Sequence, residues 1–101
     1  MRAPLLGDVV AAARALRAVE ARDRRDLLDL MFEEASAAER HGRETGRIHP
    51  RFGDGSLMAA ALTRPCAREP GLDDGDYCRC LALVLTTLPA GPDAGGRSFR
   101  P

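Results

Sequence analysis

The stretch that decides the fold is residues 21–43, which reads ARDRRDLLDLMFEEASAAERHGR. Its apolar residues recur at spacings of four, four and three, the period of one face of an α-helix; they are Leu27, Met31, Ala35 and Ala38. Charged residues occupy most other positions, and opposite charges three or four apart support a helix by a few tenths of a kcal/mol per pair. The sequence therefore predicts one long amphipathic helix here.

This helix fits two arrangements, and its length favours one of them. The apolar stripe lasts two heptads, whereas a sustained coiled coil needs three or more. We therefore expect the central helix of a small bundle or hairpin rather than a coiled-coil segment.

Two shorter helices are predicted, one before the long helix and one after it. The first follows Gly7, with Asp8 as its N-cap, and its apolar face is narrow and rich in alanine. Gly42 and Gly46 weaken and end the long helix. Ser56 is the expected N-cap of a short helix over residues 57–63.

The last helix is predicted over about residues 75–88, capped by Asp73 or Asp74 and stopped by Pro89. Its expected apolar face consists of Tyr77, Leu81, Val84, Leu85 and Leu88. The segment after Pro89 begins with residues 90–96 (AGPDAGG), which are rich in glycine and proline. The sequence thus predicts an all-α fold of about four helices with one long central helix, a single domain over residues 1–89 and a flexible tail over 90–101.

Composition narrows the function classes. A chain of 101 residues forms one domain, and its small core makes a homo-oligomer a natural source of added stability. Fifteen basic residues, all arginine, balance fifteen acidic ones, so no strong field draws the whole protein to nucleic acid or membrane. No apolar run approaches the ~20 residues of a membrane span, and no signal-peptide pattern opens the chain. We expect a cytoplasmic protein without a membrane partner.

The residues that could carry chemistry do not form a recognisable site. Cys78 and Cys80 lie two apart on a predicted helix and point about 200° away from each other, and the C-x₂₋₄-C pair of zinc sites is absent. Neither Cys66 nor His49 lies in a nucleophile context. The glycines of residues 52–56 lack the phosphate-loop motif and indicate a tight turn. We expect no metal, no cofactor and no enzymatic activity.

One basic segment could contact phosphate. It carries Arg40, Arg43, Arg47 and Arg51 against Glu39 and Glu44, a local net charge of four minus two, or +2. Cations are expected at a helix C-terminus in any case, so weak, sequence-independent DNA contact is one of two readings. Phe52, within this segment, is predicted to fold inward onto the second and fourth helices.

A resemblance sharpens the functional hypothesis. Residues 49–62 (HPRFGDGSLMAAAL), residues 72–78 (LDDGDYC) and the opening LLGD at residues 5–8 resemble a small alphaproteobacterial family associated with the gene-transfer-agent cluster, beside the large terminase. The similarity covers about residues 3–88. It implies a small-terminase-like subunit, an oligomeric helical protein that presents DNA to the large terminase and regulates it.

The resemblance implies a non-catalytic DNA-packaging adaptor whose C-terminal segment contacts the large terminase. Residues Arg97, Phe99 and Arg100 would make that contact, since aromatic residues and arginine are enriched at interfaces. Small terminases usually begin with a helix-turn-helix that binds DNA. This chain departs from that arrangement, because no segment after its first helix has the pattern of a recognition helix. The alternative is a helical protein–protein interaction module outside DNA packaging.

Overall fold

The computed structural model describes residues 1–89. It contains four α-helices: α1 (Leu6–Arg17), α2 (Arg24–Thr45), α3 (Leu57–Ala61) and α4 (Gly75–Thr87). A single 3₁₀ turn, Ala21–Asp23, leads into α2, and the described residues hold no β-strand beyond one isolated bridge. The all-α prediction, with four helices and a long second one, is confirmed. The tail predicted for residues 90–101 lies outside the described residues.

The helix with the most extensive contacts to the other helices is α1. It packs against α2, α3 and α4, and its contacts with α4 and α3 are the most extensive. Its buried apolar side chains are Val9, Ala11, Ala12, Ala13, Ala15 and Leu16. Because interaxial distances depend on the side chains at the contact, these alanines allow three helices to approach one short helix. The narrow face expected from the sequence is in fact buried on several sides.

The buried stripe of α2 contains three of the four predicted residues, and Leu28, which together with Leu30 and Phe32 was expected only to widen the stripe, takes the place of Leu27. Leu28 is fully buried with Met31, Ala35 and Ala38, whereas Leu27 is half-buried. Leu27 and Leu28 lie four and three residues before Met31, so helical periodicity admits either one. In the folded protein, Leu28 is the one that lies in the core, and Leu27 packs against that core.

Asp8 lies inside α1 rather than at its N-cap. The helix begins at Leu6 with Leu5 as the N-cap residue, and the Asp8 carboxylate reaches back to accept the Leu5 backbone N–H at 2.7 Å. Its other oxygen accepts the Met58 N–H at 2.9 Å. Asp8 therefore joins the start of α1 to α3, which explains why a carboxylate is buried here.

The other two predicted caps are confirmed. Ser56 accepts the Ala59 N–H at 3.1 Å at the start of α3, and Asp74 accepts the Tyr77 N–H at 2.9 Å at the start of α4. The predicted apolar face of α4 is too wide: the buried residues are Tyr77, Cys80 and Val84, while Leu85 is exposed. Leu81 and Leu88 are partly buried and pack against the core, so the predicted face fails only at Leu85.

Arginines join elements that the apolar core alone would leave loosely connected. Arg24 at the start of α2 donates through Nε to the Leu16 carbonyl at 2.9 Å and forks onto the Asp76 carboxylate at 2.7 and 3.0 Å. Arg14 donates to the Ala67 carbonyl at 2.9 Å. These contacts tie α1, α2, α4 and the linker before α4 together at one end of the molecule.

Of the helices within residues 1–89, none combines the length and the apolar character that crossing a membrane requires.

Candidate nucleic-acid interface

The four arginines of the predicted basic segment all lie exposed at one end of α2. Arg40 and Arg43 occupy its last turns, three residues apart and therefore neighbours on the helix surface. Arg47 and Arg51 lie in the loop that follows, residues 46–56. We call these four residues the arginine cluster.

The arginine cluster differs from most other arginines in having no acidic partner; among the described residues only Arg14 and Arg68 share this property. Within residues 1–89, ion pairs engage seven other arginines: Arg2, Arg17, Arg22, Arg24, Arg25, Arg64 and Arg79. No ion pair among the described residues involves any member of the cluster. Its positive charge is therefore available to an external anion.

A tight turn determines where Arg51 lies. His49 and Gly53 exchange two backbone hydrogen bonds of 3.0 and 3.1 Å, and the His49 imidazole Nδ1 accepts the backbone N–H groups of Arg51 and Phe52 at 3.1 and 3.0 Å. The glycines of this segment thus form the tight turn expected from the sequence. Arg51 lies in the turn, between the two bridge residues.

Loop 46–56 packs directly on α2. Gly55 has a φ of +92°, and a Cβ there would lie 2.9 Å from the Glu39 Cα atom. Gly46 ends α2 in the left-handed conformation, and its N–H bonds the Gly42 carbonyl at 2.8 Å. The loop that carries Arg47 and Arg51 is therefore packed on the helix that carries the other two arginines.

The prediction for Phe52 is wrong. Its ring is half-buried and stacks on His49 with centroids 5.0 Å apart, and His49 in turn meets His41 of α2 edge-on at 5.1 Å. The Arg51 guanidinium lies 5.3 Å from the Phe52 ring centroid. Phe52 is not among the side chains that form the core or pack against it, because the turn folds its ring onto the adjacent histidine.

The cysteines show the opposed orientation that their spacing predicted. Cys78 is exposed and Cys80 is buried, and burial raises the pKa of the Cys80 thiol, which disfavours the reactive thiolate. In the part of the chain that the structure describes, no three His, Cys, Asp or Glu side chains lie close enough to hold a metal ion.

The remaining predicted contact residues, Arg97, Phe99 and Arg100, lie outside the described residues, so their predicted role stays a prediction.

One surface feature was missed in the sequence. Leu5, Leu6, Met58 and Leu62 are all exposed large apolar residues at the start of α1 and along α3, and Leu5 and Met58 line the same surface depression; we call the four residues the apolar patch. Asp8 hydrogen-bonds both Leu5 and Met58, which brings the two elements together. The adjacent leucines before Gly7 were a usable signal, because leucine is a poor N-cap residue.

Comparisons with known proteins identify a family but no characterised relative. A family model described as Domain of unknown function (DUF7742) matches residues 2–88. No curated protein and no solved structure matches the chain.

Proposed function

The chain belongs to the DUF7742 family, and we propose that it is a non-catalytic, small-terminase-like adaptor for DNA packaging in a gene transfer agent or phage-like particle. In this role it self-associates, contacts DNA weakly and without sequence preference, and presents it to the large terminase. The proposal combines the resemblance of residues 49–62 and 72–78 with the geometry of the arginine cluster.

The observation that carries the DNA contact is the set of four exposed arginines without ion-pair partners among residues 1–89. Exposed guanidinium groups bind phosphate oxygens and release counterions, which gives affinity without reading sequence. The two arginines of α1 are not available for base recognition, because both are engaged within the protein. Arg14 donates to the Ala67 carbonyl. Arg17 donates to the Arg68 carbonyl and to the carboxylates of Asp74 and Asp76. Phosphate contact is therefore the mode that this arrangement favours.

The alternative is a helical interaction module outside DNA packaging. It is favoured by the zero formal net charge and by the exposed apolar patch, neither of which nucleic-acid binding requires. The adaptor is preferred because the alternative leaves the unpaired arginine cluster without a role.

Replacing Arg43, Arg47 and Arg51 by alanine together tests the DNA contact. We expect the triple variant to lose binding to random-sequence duplex DNA, and the wild type to lose affinity steeply with salt, with a log–log slope of about −3 to −4 for three to four phosphates. Fluorescence anisotropy across a salt series measures both effects.

A matched control removes the same charge elsewhere. Arg22, Arg25 and Arg79 are exposed but each is ion-paired, so their triple alanine variant should retain most of the binding. Equal loss in both triple variants would show that net charge alone matters, and unchanged binding in the first would refute the arginine cluster as the contact.

Capture of the large terminase separates the two functions. An adaptor should retain the large terminase in a pull-down and alter its ATPase rate, whereas a module of another pathway should do neither.

A further inference from the structure

The apolar patch consists of large side chains that a single copy leaves in water. Leu5 and Leu6 are 74% and 77% exposed, and Met58 and Leu62 are also exposed, one helical turn apart at α3. The first turn of α1 lies directly on α3, because a Cβ at Gly7 would come within 2.8 Å of the Met58 methyl group. Contiguous exposed apolar side chains of this kind mark interaction surfaces.

The monomer gains little from the two leucines. Leu5 occupies the N-cap position of α1 and its side chain makes no capping hydrogen bond, although Ser, Thr, Asp or Asn would stabilise the helix there. Leu6, the first residue of α1, points into solvent. Folding of one copy therefore does not account for apolar residues at these two positions.

The charged groups near the apolar patch are already engaged within the protein, by ion pairs or by backbone N–H groups. Arg2 donates to Asp54 at 2.8 Å, Asp8 uses both carboxylate oxygens on backbone N–H groups, and Arg64 pairs with Glu34. Two such surfaces can meet without juxtaposing unpaired like charges. The arginine cluster, in contrast, would repel a second copy of itself.

We propose that a second copy of this chain docks on the apolar patch, in a two-fold contact that places patch against patch. A two-fold contact uses the same surface on both subunits and so requires a self-complementary one, which an apolar patch with internally paired charges is. The inference rests on the self-association proposed above and identifies the surface that carries it. It also leaves the arginine cluster of both copies free for DNA.

Leu6→Glu tests this surface without threatening the fold. An acidic residue in the first turn of a helix is favourable, so the variant should fold at least as well as the wild type while placing charges inside the contact. We expect the wild type to dimerise at micromolar concentration and the variant to dimerise at least about tenfold more weakly. Sedimentation equilibrium measures both constants.

Leu72→Glu is the matched control. Leu72 is 73% exposed, close to the value for Leu6, but lies in the linker before α4 rather than in the apolar patch. The control variant should dimerise like the wild type.

Leu5→Ser adds a readout that a purely structural role would not produce. Serine is a better N-cap than leucine, so the monomer should melt at a higher temperature while the dimer weakens. A lower melting temperature, measured at a concentration where both proteins are monomeric, together with a weaker dimer would indicate a structural defect and overturn the assignment.

The outcomes separate this inference from the wider proposal. A wild type that stays monomeric up to millimolar concentration overturns self-association and leaves the apolar patch to another partner. A wild type that dimerises as tightly as Leu6→Glu overturns only the surface. DNA binding by the arginine cluster is measured independently and is unaffected by either result.

Discussion

At the scale of single residues, arginine links elements distant in the chain. The guanidinium of Arg24 contacts the Leu16 carbonyl and both oxygens of Asp76, so one side chain joins the end of α1, the start of α2 and the start of α4. A lysine could not replace it, because an ammonium group lacks the planar fork that binds a carboxylate through two parallel bonds. In this chain, whose basic residues are all arginine, such contacts add to the stability that the small apolar core provides.

The contact between Arg24 and Asp76 predicts a pH dependence of stability. The hydrogen bond from Arg24 lowers the pKa of Asp76, and Arg17 acts in the same direction. The folded carboxyl therefore titrates below its unfolded value of about 3.9. Its contribution is fully present above that value and is lost as pH falls through the folded pKa.

Asp76→Asn should accordingly lower the free energy of unfolding at pH 7, and the gap to the wild type should narrow below about pH 4. Urea titrations at both pH values measure it. Asp26→Asn is the control, since Asp26 also lies in the first turn of a helix but has no ion pair within residues 1–89. A gap that widens in acid would contradict the assignment.

At the scale of elements, two glycines determine how α2 passes into loop 46–56. Gly46 ends the helix with a φ of +71° and has open space around it, whereas Gly55 combines a φ of +92° with close contact to the α2 backbone. Backbone conformation alone is constrained at the first position, and both conformation and space at the second. The close approach of loop 46–56 to α2 therefore requires glycine at position 55.

Gly55→Ala should destabilise the protein more than Gly46→Ala. The latter should cost about 1–2 kcal/mol for placing alanine in a left-handed conformation, while the former adds a collision with Glu39 that only backbone movement relieves. Chemical denaturation compares the two variants. Equal losses would show that the loop does not rest on α2 as described.

At the scale of the whole molecule, the two candidate surfaces differ in whether their charged side chains have ion-pair partners. The arginine cluster lies at the end of α2 and carries charges without ion-pair partners among residues 1–89, whereas the apolar patch lies where α1 meets α3 and is bordered by paired ones. An adaptor needs separate surfaces for its own copies and for DNA, and these two surfaces share no residue.

Truncation tests the remaining partner. Removing residues 90–101 should leave the melting temperature and self-association unchanged, because the glycine- and proline-rich start of this segment does not suit a packed core. Binding to the large terminase should weaken, since Arg97, Phe99 and Arg100 are removed. Calorimetry and a pull-down measure these effects, and equal affinity of both forms for the large terminase would show that the segment has no role in this contact.

Local signals in the sequence were sufficient for much of the secondary structure. The all-α class, the long helix, the caps Ser56 and Asp74 and the opposed orientation of Cys78 and Cys80 were all predicted correctly. Each depends on a period, a cap or a breaker within a few residues, and such interactions act before the chain is compact. The positions of the arginine cluster at the end of α2 and in its loop were predictable for the same reason.

Only the tertiary structure decided which helix makes the most extensive contacts, which of Leu27 and Leu28 is fully buried, and where Asp8 and Phe52 point. These outcomes depend on contacts between residues far apart in the chain, such as Asp8 with Met58 and Arg24 with Asp76. Helical periodicity alone cannot distinguish Leu27 from Leu28 as the buried residue of α2. In the same way, the alanine-rich face of α1 does not show which helices will pack against it. The apolar patch arises in the same way, because Leu5 and Met58 become neighbours only when α1 and α3 meet.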